Sequence, residues 1–145
     1  MMSKYDDLKL DNQLCFSLYA ASREVIKLYK PCLDKFNLTY TQYVAMLVLW
    51  EDEKSTVKEM GKRLHLDSGT LTPLLKKIES MGLISRYRDV NDDRVVIVEL
   101  TEKGRKLKEE ITCVPKEMVC RINLSKDEIK SLKDELDNLL RKLQE

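Results

Sequence analysis

The sequence predicts a mainly α-helical domain with one small β-hairpin, and three observations carry that expectation. Helix-start signals recur along the chain: Asp11, Thr39 with Gln42, Thr56 with Glu59, Asp67, Thr101, and Ser125 with Glu128 each precede an apolar run. Both terminal segments space their leucines and valines three and four residues apart. Two β-branched runs, Leu83 to Arg88 and Val95 to Leu100, flank the turn-like Asp89-Val90-Asn91-Asp92-Asp93. With 145 residues, 43% hydrophobic and 35% charged, the chain suits one domain with a modest core.

Taken in order, Asp11 is expected to cap a first helix carrying Leu14, Leu18, Ala21, Val25 and Leu28, with Pro31 bending or interrupting it. Thr39 and Gln42 form a capping box for a second helix rich in apolar residues from Val44 to Trp50, which reads as buried. Thr56 and Glu59 start a short helix through Met60 and Leu64. Asp67 caps the next, through Leu71, Leu74, Leu75 and Ile78 to a stop at Gly82. The hairpin follows. Thr101 then caps a fifth helix expected to end near Pro115, the stretch from Lys116 to Asn123 either extending it beyond a kink or not. Ser125 and Glu128 box a last helix with Ile129, Leu132, Leu136, Leu139, Leu140 and Leu143 on one stripe.

Composition excludes several classes of function. No apolar run approaches the ~18 residues of a membrane span, and the first residues carry no apolar leader, so a cytoplasmic protein with no membrane partner is expected. Cys15, Cys32, Cys113 and Cys120 contain no Cys-x-x-Cys pair, and His65 is the one histidine, so neither a metal site nor a cofactor is expected. Catalysis by a Cys-His pair has almost nothing to work with, and the chain is not expected to be an enzyme. Net charge is +1, but the segment from Lys54 to Arg94 holds nine basic and six acidic residues. That excess needs architecture before it means anything.

Two short helices meeting at His65-Leu66, followed by a basic hairpin, have the winged helix-turn-helix plan, in which the second helix enters the major groove of DNA. Ser68, Thr70 and Thr72 put short hydroxyls near the start of that helix, where free backbone N–H groups also favour phosphate. Lys76 and Lys77 follow on the same helix, and Arg86 and Arg94 lie on the hairpin. The lobe is expected over about residues 39–104, bracketed by dimerisation helices at about 8–36 and 105–145.

At this point the sequence resembles a known family. Asp92-Asp93-Arg94 followed by Leu100-Thr101-Glu102-Lys103-Gly104 is similar to the wing signature of the MarR transcriptional regulators. The resemblance implies that Arg94 enters the minor groove while Asp92 orients it. Val95 stands where the family commonly keeps a serine. Asp67-Ser68-Gly69-Thr70-Leu71-Thr72-Pro73-Leu74-Leu75-Lys76 resembles the recognition helix of the organic-hydroperoxide (OhrR/SarZ/MgrA-type) branch. Asn12-Gln13-Leu14-Cys15-Phe16 with Tyr19, Ser22, Tyr29, Tyr40 and Tyr43 resembles that branch's redox sensor. Implied are a homodimer on a pseudo-palindromic operator, released when Cys15 is oxidised by organic hydroperoxide, with Tyr19 and Tyr29 reaching the thiol from the other subunit.

Helix geometry agrees with a sensor face. At ~100° per residue, Tyr19, Ser22 and Tyr29 fall within about 40° of Cys15. The trap for oxidised Cys15 is either an external low-molecular-weight thiol or an internal one, and the resemblance points to Cys120 as the internal candidate. Two other readings stand beside this one. In the first, a MarR-type regulator answers a small phenolic ligand while Cys15 stays inert. In the second, the chain is a thiol peroxidase, which would need an Arg or His beside the sulfur that the sequence does not offer.

Overall fold

The computed structural model describes residues 3–145. Seven α-helices surround a three-stranded antiparallel sheet: α1 Leu14–Asp34, α2 Tyr40–Asp52, β1 Lys54–Thr56, α3 Val57–Leu64, α4 Ser68–Ser80, β2 Ile84–Arg88, β3 Val96–Leu100, α5 Glu102–Glu110, α6 Cys113–Arg121 and α7 Lys126–Leu143. The centre of the chain is a winged helix-turn-helix, with α3 and α4 as the helix pair and β2–β3 as the wing.

Most helices start where side-chain oxygens take up the first free N–H groups. Thr39 accepts from the Gln42 amide and Ser125 from the Glu128 amide, and in both cases the partner side chain returns the bond, completing the box. Asp67 accepts from the Thr70 amide at 2.7 Å, and Thr101 from the Gly104 amide at 3.1 Å. Thr56 caps α3, but Glu59 does not close a box; its carboxylate takes the Ser55 hydroxyl at 3.3 Å instead.

Four expectations change. Asp11 does not cap α1: it lies in a 3₁₀ turn, Leu10–Asn12, and the helix begins at Leu14 after Gln13, whose side chain bonds back to the carbonyls of Asp7 and Lys9. Pro31 does not interrupt α1, which runs on to Asp34; the bond it forfeits belongs to the Lys27 carbonyl in a solvent-exposed stretch. The fifth helix ends at Glu110, one turn before Pro115, because the proline ring crowds the Ile111 carbonyl and has no N–H to give it. The sheet also has a third strand: β1 pairs with β3, placing Ser55 opposite Val98, in the order β1-β3-β2. Lys-Ser-Thr has no apolar alternation to announce a strand.

One core joins α1 to α4, the wing strands and α6. Leu33 from α1, Met46 and Leu49 from α2, Met60 from α3, Leu71, Leu75 and Ile78 from α4, Val98 from β3 and Val114 from α6 are all buried within it. Gly104 is a point of enforced closeness. A Cβ there would lie 2.3 Å from the Leu83 carbonyl oxygen and 2.7 Å from Leu100 Cδ1, while the Gly104 carbonyl accepts the Trp50 indole N–H at 2.9 Å. No residue of α7 is buried.

Gly104→Ala is therefore expected to destabilise the fold by about 1–3 kcal/mol or more, because backbone, not a flexible side chain, must give way. Urea unfolding of the variant beside wild type checks it, and an unchanged midpoint would contradict the packing described.

Candidate nucleic-acid interface and redox site

Helix α4 divides cleanly. Leu71, Leu75 and Ile78 point into the core, so Thr70, Thr72, Lys76 and Lys77 occupy the opposite arc. Ser68, Thr70, Lys76 and Lys77 are exposed and Thr72 is half-buried. Asp67 is committed to the helix: the Thr70 amide, then the Thr70 side chain, hold its carboxyl below the usual range, so it stays charged as a cap.

The wing tip is organised by one aspartate. Asp92 accepts the Arg94 backbone N–H at 3.1 Å, its Nε at 3.1 Å and its Nη2 at 3.2 Å, and these bonds hold the Asp92 carboxyl low. Arg94 is nonetheless 89% exposed, so its guanidinium is aimed but uncovered. Arg88 donates to the Asp93 carbonyl and so spans the same turn. Arg86 differs. Its side chain is only 19% exposed and its guanidinium is bound to Glu79 of α4, a partner that no local sequence pattern announces. A groove of about 940 Å³ runs between α3, α4 and the wing, walled by Lys58, Lys62, Thr72, Arg86 and Arg94 among others.

The cysteines are distributed along the terminal helices, and all four are free. Cys15 is exposed and is the second residue of α1, two residues nearer the helix start than a cap at Asp11 would place it. Among the described residues, none donates a hydrogen bond to its sulfur. Tyr19, one turn on, is exposed and takes a bond from Arg23, whose guanidinium lies over its ring. Tyr29 and Tyr40 pack together at 4.7 Å between ring centroids, and both lean on the buried Tyr43. Burial, then Tyr40 and Tyr43, push the Tyr29 hydroxyl up to about 12; burial also raises Tyr40. Both hydroxyls therefore stay protonated at neutral pH and remain donors.

Cys32 is buried and donates to Glu117 of α6 at 2.7 Å. Burial, followed by that carboxylate, pushes the thiol up, while the thiol bond, Lys35 and Arg121 hold Glu117 down. Cys113 and Cys120 are exposed. His65 does not cap by its side chain; its backbone takes the left-handed conformation that ends α3, and its ring meets Gln144 near the end of α7. Among the described residues no group of His, Cys, Asp and Glu is arranged to hold a metal ion, and no described helix is long and apolar enough to cross a membrane.

Comparison with known proteins is decisive about ancestry. Residues 27–111 match a family described as transcriptional regulator SarA/Rot. The chain is 52% identical over 143 residues to the organic hydroperoxide resistance transcriptional regulator of Bacillus subtilis strain 168, covering 99% of this chain and 97% of that one. It is 42% identical over 136 residues to the regulator SarZ of Staphylococcus saprophyticus, covering 94% and 93%. This chain belongs to the MarR family of transcriptional regulators, in the organic-hydroperoxide and SarZ branch. Among solved structures of MarR-family proteins, reduced AbfR bound to DNA, a protein of Staphylococcus epidermidis, superposes with a TM-score of 0.80 at 37% identity, covering 99% of this chain and 100% of that one. AbfR with its disulfide formed gives 0.65 at 35% identity, covering 94% and 96%. This MarR-family regulator thus superposes better on the DNA-bound form than on the disulfide form of that relative.

The Cys32 pair gives a pH signature. Because the folded thiol sits above its unfolded value, its contribution is fully present below about 8.5 and is lost as pH rises toward the raised folded value. Between pH 8 and 10, wild type should lose stability relative to Cys32→Ala in urea titrations. Parallel curves for the two proteins would contradict a protonated Cys32.

Proposed function

We propose that the chain is a homodimeric repressor that binds a pseudo-palindromic operator and releases it when Cys15 is oxidised by an organic hydroperoxide. The observation that carries this reading is the position of Cys15: exposed, in the first turn of α1, beside the exposed Leu14 and Phe16. A helix start favours thiolate by only ~0.3–1 kcal/mol, less than one pKa unit at ~1.4 kcal/mol per unit. No Lys or Arg stands at three or four residues from Cys15. Tyrosine hydroxyls must supply the remaining stabilisation. Tyr29 lies ~21 Å farther along the same helix at 1.5 Å per residue, so only a second copy can bring it to the sulfur. A second copy also covers what one chain leaves bare: Leu14, Leu18 and Ile26 on α1, Val119 on α6, and Leu132, Leu140 and Leu143 on α7.

In the sensing step the Cys15 thiolate attacks the terminal peroxide oxygen, the O–O bond breaks, and the alkoxide leaves to take a proton; the cysteine becomes a sulfenic acid. A low-molecular-weight thiol then condenses with it, releasing water and leaving a mixed disulfide. Cys120 of the same chain is too far away. Cys15 lies ~26 Å along α1 from Cys32, and Cys32 meets Glu117 only three residues from Cys120, whereas a disulfide needs Cα atoms within about 7 Å. The bulky adduct favours a different spacing of the two winged lobes and so loses one half-site.

On DNA, each α4 enters a major groove with Thr70 and Thr72 at base edges or phosphates and Lys76 and Lys77 at phosphates. Arg94 occupies the flanking minor groove. Arg94→Ala should weaken specific binding about tenfold or more while the protein stays folded and dimeric. Unchanged affinity in a gel-shift titration would remove the wing from the interface.

Cys15→Ser should bind the operator as wild type does and fail to release it on addition of cumene hydroperoxide. Mass spectrometry of wild type treated with peroxide and a small thiol should place the adduct on Cys15. A peroxide-responsive Cys15→Ser protein would put the sensor elsewhere, and a Cys15–Cys120 cross-linked dimer as main product would replace the external trap by the internal one.

A further inference from the structure

Sequence alone assigns Arg86 to the DNA, together with Arg94. The structure gives it another partner. Glu79 is the penultimate residue of α4 and Arg86 the third residue of β2, and the turn through Gly82 sets them face to face. One carboxylate oxygen of Glu79 accepts the Arg86 backbone N–H at 3.0 Å; the other accepts Nε at 3.3 Å and Nη2 at 3.1 Å. Because β2 is an edge strand, that backbone N–H has no neighbouring strand to serve it, and Glu79 closes the edge. Arg86, at 19% side-chain exposure, is also the least exposed cation of any ion pair among the described residues; the next is Arg105 at 41%. Exposed pairs count for little, but a forked, half-buried pair that also grips the backbone fixes an angle.

That angle matters because the wing is a lever. Strands advance ~3.4 Å per residue, so the Asp92–Arg94 turn lies roughly 15–20 Å beyond Arg86. A swing of about 10° at the bracket would move the tip by about 3 Å, a whole hydrogen-bond length. We infer that Glu79 is a positioning residue for DNA reading: through Arg86 it sets the angle between the recognition helix and the wing, so that α4 and Arg94 address one duplex together. This rests on the proposed placement of Arg94 in the minor groove.

A double-mutant cycle on the full-length dimer tests it, using the operator and a random duplex of equal length across a salt series. Glu79→Ala should cost about as much operator affinity as Arg94→Ala, tenfold or more, and the double variant should lose little beyond either one. Affinity for random DNA and the slope of affinity against salt should not change, which a general loss of folding would not reproduce. If Glu79→Ala does not fold, Glu79→Gln, which keeps an oxygen for the Arg86 backbone N–H, enters the same cycle with a smaller expected loss. Losses that multiply in the double variant would overturn the inference. So would tighter binding to both duplexes with a steeper salt slope, since Arg86 would then be a phosphate ligand restrained by Glu79. An Arg94→Ala protein with unchanged affinity would sink the underlying reading as well; an Arg94 loss that Glu79→Ala does not absorb sinks the inference alone.

Discussion

The contact between Trp50 and Gly104 holds the two halves of the molecule in register. The indole N–H reaches the Gly104 carbonyl only because the missing side chain lets α5 lie directly on the Leu83 backbone and on Leu100. Around it, Thr101 bonds to the Gly82 carbonyl, Lys103 to that of Met81, and Lys108 to that of Trp50. The start of α5 is thus fastened to α2 and to the base of the wing at once. Close-packed interiors transmit displacement instead of absorbing it. A shift of the terminal helices that reaches α5 must therefore move the winged lobe as one body, with α4 and the wing keeping their mutual angle.

The helix starts were legible because each relies on a short side chain beside its own backbone. Thr39 and Ser125 could be read with a partner three positions on, Asp67 and Thr101 from the helical run that follows, and all four cap as expected. What escaped depended on long-range partners. β1 exists because β3 offers it an edge, not because Lys54-Ser55-Thr56 prefers extension. The division between α5 and α6 was placed one turn late because the proline acts backwards, on the carbonyl four residues earlier. Arg86 was read as one more cation of a basic wing; only the fold shows Glu79 waiting for it. The Cys32 pair has no local signal either, because its partner, Glu117, lies 85 residues away.

Under the proposed function the sensor has no complete existence in one chain. The thiol sits at the beginning of α1, and its best donors, Tyr29 and Tyr40, sit in the C-terminal half of the same helix and at the start of the next. In the proposed dimer, the first helix of a second copy would unite them and bury the bare apolar face of each. Chemical reactivity and the spacing of the DNA-reading lobes then depend on the same interface. Perturbing one perturbs the other without any separate relay.

Two thiols share α1, and their surroundings assign them opposite fates. Cys15 is open to solvent at the helix start, while Cys32 is enclosed and lends its proton to Glu117. Since only thiolate is an effective nucleophile, Cys32 withdraws from competition for oxidant. With Cys15 as the sensor, each subunit offers peroxide one target along this helix, and its response is a count: one hydroperoxide molecule, one subunit switched, with no silent second thiol on α1 to blunt the stoichiometry.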